Sequence, residues 1–159
     1  MRIVVVGLGN VLASDDAVGV RVIQGLATRG LPAGVQLVEA NTPGLDLIPL
    51  LLDADRAILV DALCSGEAPG TISRLGGEEL HRAPWHSLSG HGLGVLEALE
   101  LGRLLYPARM PREVVLIGIE VERLDSYQEG LTPALQAAIP GAVEAVAAEL
   151  RGYSEPGEP

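Results

Sequence analysis

Gly7-Leu8-Gly9-Asn10-Val11-Leu12-Ala13-Ser14-Asp15-Asp16-Ala17-Val18-Gly19 follows directly on an apolar run, Ile3-Val4-Val5-Val6. A β-branched run bounded by glycine reads as a buried strand. Glycine takes φ > 0 without a Cβ clash, so the turn after the strand can be tight and present its amides. Beyond it Val18, Val22, Ile23 and Leu26 recur at helical spacing, and residues 15–29 read as a helix. The unit is strand, glycine turn, helix, with Asp15 and Asp16 at the mouth of the helix. Ligands of open α/β sheets bind in the crevice beyond the carboxyl ends of the strands, and these acids are expected there.

The alternation continues along the chain. Residues 35–39, 57–60 and 114–119 read as further strands, the third strand ending at Asp61, and residues 70–75 as a short extra one. Residues 44–52 read as a helix or a turn of helix. Leu93, Leu96, Leu99 and Leu104 mark a helix over 92–106, and Leu135, Ile139, Val143, Val146 and Leu150 mark the last one. Pro140-Gly141 is expected to kink or split that last helix. The pattern predicts a three-layer α/β sandwich whose central, mainly parallel sheet has about five strands flanked by helices. One domain is expected over residues 1–151, with a frayed, disordered tail from 152 to 159.

Composition narrows the function. The 159 residues are 48% hydrophobic and contain no Phe, so the core must be Leu, Val, Ile and Ala. The start of the chain has no signal-peptide pattern and no stretch reaches the ~18 apolar residues of a membrane helix, which predicts a soluble, cytoplasmic protein. Net charge is −10 and all eleven cations are arginine. Such an acidic domain repels phosphate backbones and anionic lipid, so neither nucleic acid nor membrane is expected as a partner. Lack of lysine excludes P-loop phosphate chemistry and Schiff-base catalysis. Cys64 is the single cysteine, which excludes an internal disulfide. It is expected to be a buried structural thiol.

The glycine turn fails as a dinucleotide fingerprint, because Leu12 stands where the third glycine is needed for close helix packing. Asp15 and Asp16 each have a plain reading as helix-capping or first-turn acids. Asp61, after Ile58-Leu59-Val60, has one as a turn former. Together they also read as carboxylates brought to the same end of two strands. His81, His86 and His91 are five residues apart, a spacing that fits neither a helical nor a strand ligand pair. His91 differs from the others, being flanked by Gly90 and Gly92 before a helix; His81 and His86 read as surface residues. Asp16, Asp61 and His91 form an O,O,N set suited to a borderline divalent ion such as Ni²⁺ or Zn²⁺. No His-Glu-x-x-His or Gly-x-Ser-x-Gly is present, so neither the zincin nor the serine-hydrolase template applies.

These residues resemble the hydrogenase maturation endopeptidases, which remove the C-terminal extension of nickel–iron hydrogenase large subunits. The likeness runs from Arg2 to about Leu150. Gly7-x-Gly9-Asn10-x-Leu12-x-x-Asp15-Asp16-x-x-Gly19-Val20 resembles the family's opening signature. Val60-Asp61-Ala62 with Ala68-Pro69-Gly70-Thr71, then Ser89-x-His91-x-Leu93-Gly94, are similar to its second and third blocks. Gly118-Ile119-Glu120 and Gly130-Leu131-Thr132-Pro133 resemble its closing blocks. The resemblance implies a phosphorylase/hydrolase-like fold and an endopeptidase grouped with the aspartic type. It further implies Asp16, Asp61 and His91 at the metal-contacting positions, with Asp16, Asp61 and Glu39 as catalytic acids. The nickel is expected to arrive within the large-subunit precursor, the protein's partner, while zinc or cadmium occupies the site in vitro; the enzyme is expected to be a monomer. The chain departs from the family in having Asp16 where Glu is common. It also has Glu39-Ala40-Asn41-Thr42-Pro43-Gly44 where Asp and a glycine-rich loop are usual, and Val121 in place of proline.

Two other readings share parts of this pattern. Gly7-Leu8-Gly9-Asn10 also opens peptidyl-tRNA hydrolases, but the following Val11-Leu12-Ala13-Ser14-Asp15 and the acidic charge oppose them. A metal-binding or chaperone-like module that holds a hydrogenase precursor without cutting it would present the same acids.

Overall fold

The computed structural model describes residues 1–10, 12, 14–41, 44–82, 94–122 and 130–153. His86, His91, Thr42, Pro43 and the last six residues of the expected tail lie outside them. The strands are β1 (Ile3–Leu8), β2 (Val35–Ala40), β3 (Arg56–Leu63), β4 (Ile72–Gly76) and β5 (Glu113–Glu120). They form a five-stranded sheet in the order β2-β1-β3-β5-β4. The pairs β1–β2, β1–β3 and β3–β5 are parallel, and β4 closes one edge antiparallel to β5. The helices are α1 (Val18–Ala27), α2 (Leu47–Leu51), α3 (Glu78–Arg82), α4 (Val95–Leu105) and α5 (Pro133–Arg151), with a 3-10 turn at Ser14–Ala17 ahead of α1.

Successive strand side chains alternate between faces, and the sheet is buried on both. Ile3 and Val5, with Ile58, Val60, Ile117 and Ile119, pack under α1 and α5. Val4, Val6 and Leu8, with Ala57, Leu59 and Leu116, pack under α2 and α4. Two helical layers on a parallel sheet explain why the strands read as continuous apolar runs. Val18, Val22, Ile23 and Leu26 of α1 are all buried, as the helical spacing predicts.

Several expectations are corrected. Strand β3 does not end at Asp61: it continues to Leu63, with Asp61 in register with Gly118 of β5, so Asp61 is a strand residue and not a turn former. The 15–29 helix begins instead as the 3-10 turn and becomes α-helical only at Val18. In α4 the buried stripe is Val95, Ala98, Leu99 and Gly102. Leu104, off that i, i+3, i+4, i+7 line, is 78% exposed. The last helix runs unbroken through Pro140, from Pro133 to Arg151. Pro140 and Gln136, whose carbonyl the missing N–H would have bound, both face solvent, so the unbonded carbonyl is not desolvated. Gly152 and Tyr153 are not frayed. The Tyr153 ring lies 3.4 Å from the Arg56 guanidinium, and its hydroxyl donates to Glu113.

Candidate active site

Glycine lets the first helix sit directly on the sheet. A Cβ at Gly7 would run into the Ile23 side chain and the Gly19 carbonyl, and one at Gly19 into the carbonyls of Leu8 and Val60. The start of α1 thus rests against the carboxyl ends of β1 and β3 with no side chain between. Gly9 turns the chain at φ +136°, where a Cβ would strike the Asp16 carbonyl. The turn is closed further by the Asn10 N–H, which donates to Asp16 Oδ2 at 2.9 Å.

Asp15 and Asp16 are neighbours with opposite surroundings. Asp15 is 4% exposed. Its Oδ1 accepts the Thr132 N–H at 2.7 Å and its Oδ2 the Thr132 hydroxyl at 2.8 Å, so it reaches across to the start of α5. Asp16 is half-buried and remains in the crevice. Burial holds its carboxyl above the ordinary range, the Asn10 N–H pulling the other way.

Asp61 lies on the strand face of Ala57, Leu59 and Leu63, the layer of α2 and α4. Ala62 N–H donates to its Oδ1 at 2.8 Å. Burial pushes Asp61 up to about 7, and the negative charge of Asp16 pushes the same way; the Ala62 N–H opposes both. Each acid therefore has one oxygen tied to a backbone N–H. Among the described residues Asp16 Oδ1 and Asp61 Oδ2 carry no hydrogen bond from the protein. Two desolvated carboxylates sharing a site favour a shared proton or a bound cation, since either cancels their repulsion.

Other candidate residues fare differently. Glu39 stays exposed on the outer strand β2, in register with Gly7 at the same end of the sheet but in none of the described hydrogen bonds. His91 lies outside the described residues; Gly94, three residues on, leads into α4 on the face that carries Asp61. Among the described residues no cluster of three His, Cys, Asp or Glu side chains forms. His81 is exposed at the end of α3, its Nε2 3.2 Å from Arg103 Nη1, as a surface residue should be. Cys64 is exposed, contrary to expectation, because it is the first residue past β3 where the chain leaves the sheet.

A second buried carboxylate orders the same end of the molecule. Glu120, 3% exposed at the end of β5, accepts the N–H groups of Ser65 and Gly66 at 2.6 and 2.9 Å and the Ser65 hydroxyl at 2.8 Å. It fixes the loop that leaves β3 just past Asp61. No spacing rule assigns such roles to Asp15 or Glu120. The sequence signal for Asp15 was the Thr132-Pro133 pair, a helix-start pattern whose hydroxyl is used on Asp15 and not on its own helix.

The family model for hydrogenase maturation proteases (HycI) matches residues 20–149. Hydrogenase 2 maturation protease of Escherichia coli K12 is 37% identical over 153 residues, which span 95% of this chain and 92% of that protein. The hydrogenase expression/formation protein HupD of Rhodobacter capsulatus is 32% identical over 154 residues, 96% of this chain and 72% of that one. Among solved structures, the hydrogenase maturating endopeptidase HybD from E. coli aligns with a TM-score of 0.83 and 36% identity, covering 97% of this chain and 94% of the other. The [NiFe] hydrogenase maturation protease HybD from Thermococcus kodakarensis aligns at 0.71 and 25% identity, covering 94% and 99%. On sequence and fold together, the chain belongs to the hydrogenase maturation protease family.

Proposed function

We propose that this protease removes the C-terminal extension of a nickel-loaded hydrogenase large-subunit precursor, as an aspartic-type endopeptidase acting as a monomer. The observation that carries this reading is the paired Asp16 and Asp61, each with one oxygen unbonded among the described residues, at the carboxyl ends of β1 and β3. The nickel belongs to the substrate. The donor set fits a divalent cation, because two carboxylates both raised by burial, Asp61 further by the charge of Asp16, gain from a positive charge between them. Asp16 and Asp61, with His91 as the imidazole of the set, would hold the precursor's metal-bearing end against the crevice.

Asp61 also suits proton transfer at neutral pH, since a base works best with a pKa near the working pH. In this reading an oxygen of the acid pair that the metal leaves free accepts a proton from the attacking water, and the proton is then returned to the leaving amine. Asp16, held by Asn10, keeps negative charge beside Asp61 and so maintains its basicity. Glu39, on the open edge strand, faces solvent where an extended substrate segment would pass.

Intact-mass spectrometry of the precursor, with and without nickel, tests this after incubation with the enzyme. Nickel-dependent loss of one C-terminal peptide is the expected result. A complex of verified nickel-loaded precursor and enzyme whose mass never changes would overturn it.

A further inference from the structure

Asp15 has no place in the acid pair, yet it is buried more deeply than Asp16 and both its oxygens are engaged by one residue from far along the chain. Ser14, also buried, sits at φ +47° and donates its hydroxyl to the Gly130 carbonyl at 3.1 Å. Positive φ in a non-glycine residue persists only where the surroundings enforce it. Ser14 and Asp15 together therefore fasten the 3-10 turn to the entry of α5 at two points. A free turn of four residues has little stability of its own.

We propose that Asp15 and Thr132 form a clasp that positions Asp16, making Asp15 and Thr132 positioning residues for cleavage. This rests on the reading of Asp16 as a site acid. Consecutive residues of a 3-10 turn project about 120° apart. With Asp15 directed at Thr132, Asp16 is left facing the ends of β1 and β3. The turn cannot rotate Asp16 without breaking the Thr132 bonds. Among the described residues, the other contacts on Asp16 are the Asn10 N–H and the close approach of Gly9 to its carbonyl. Neither reaches α5. The clasp thus ties the acid to a helix that packs along α1 in the core, which is how a rigid scaffold holds a reacting group in place.

Thr132→Val keeps the N–H and removes the hydroxyl; Thr132→Ser keeps both. Asp15→Asn removes the charge from the acceptor. Each is compared with wild type for single-turnover cleavage of nickel-loaded precursor, for affinity toward Cd²⁺ alone by calorimetry, and for melting temperature. The expected result is a roughly tenfold or greater loss of cleavage rate and of Cd²⁺ affinity in Thr132→Val and Asp15→Asn at temperatures where both remain folded. Thr132→Ser should stay within about twofold of wild type. Should either variant fail to fold, Ser14→Ala, which deletes one hydrogen bond and no charge, is expected to show a smaller loss in the same two readouts. Folded variants with wild-type cleavage and Cd²⁺ binding would overturn the clasp. Asp16→Asn with wild-type values for both would instead overturn the reading of Asp16 beneath it.

Discussion

The Asp16 carboxylate stands close enough to Asp61 for its charge to add to the burial that lifts the Asp61 carboxyl from an ordinary 3.8 to about 7. Asp16 comes from the 3-10 turn ahead of α1 and Asp61 from β3, and they are brought together where α1 seats on the sheet. Their mutual repulsion is a cost carried by the metal-free fold, and it marks the place where a cation or a proton is wanted.

That cost sets a pH dependence for the metal-free protein. The raised pKa means that, between about pH 4 and 7, the folded state holds a proton on Asp61 that the unfolded state has lost. Stability should fall as pH rises through that window and level off above it, by on the order of 2–4 kcal/mol. Asp61→Asn, neutral at every pH, should flatten the profile and be the more stable protein at pH 8. Denaturant unfolding at pH 5 and pH 8, with chelator present, measures both.

Substitution should separate the acids by function. Asp16→Asn and Asp61→Asn are each expected to lower precursor cleavage by roughly a hundredfold or more, with the double variant losing little beyond the worse single one, as for groups acting as a unit. Glu39→Gln, exposed and outside the pair, should stay within about fivefold of wild type. Cleavage time courses read by mass spectrometry give the values for all four variants.

Gly19→Ala should be among the most damaging changes of a single methyl group. Its Cβ would meet the carbonyl oxygens of Leu8 and Val60, which are sheet backbone and have nowhere to move. A cost of about 3 kcal/mol or more is expected, despite the better helix propensity of alanine. Gly30→Ala, with nothing within 4 Å of the new Cβ, is the control and should change stability little. Thermal melts compare the two.

Tyr153 should contribute to stability from the opposite end of the sheet. Arg56 is 2% exposed, sandwiched under the Tyr153 ring and paired with Glu149 at 2.6 Å. Tyr153→Ala exposes that guanidinium and deletes a hydroxyl donor to Glu113, and is expected to cost about 2 kcal/mol. Tyr153→Phe keeps the ring and should cost about half as much. Precursor cleavage at a temperature where both are folded should not change.

Local chemistry made much of this protein legible from its residues alone. Continuous apolar runs and apolar stripes with period 3.6 mark the strands and most helices, because a sheet buried on both faces and a helix buried along one stripe require them. The glycines at 7 and 9 announce a tight turn after the first strand; that Gly7 and Gly19 let the helix rest on the sheet shows only in the fold. The misplaced elements have local causes too. Asp61 reads as a strand end because carboxylates are rare inside buried strands; here β3 continues through it to Leu63, paired with β5. Cys64 reads as core by residue type, and only the path of the chain past Leu63 exposes it. The physical reason that Asp16 and not Asp15 is left toward the crevice lies only in the tertiary structure. Asp15 and Asp16 are the same residue type one position apart, and what distinguishes them is a hydroxyl and an N–H contributed by Thr132 from more than a hundred residues away. Sequence sets which side chains are available; which of them are desolvated, and against which charge, is fixed only when distant segments pack.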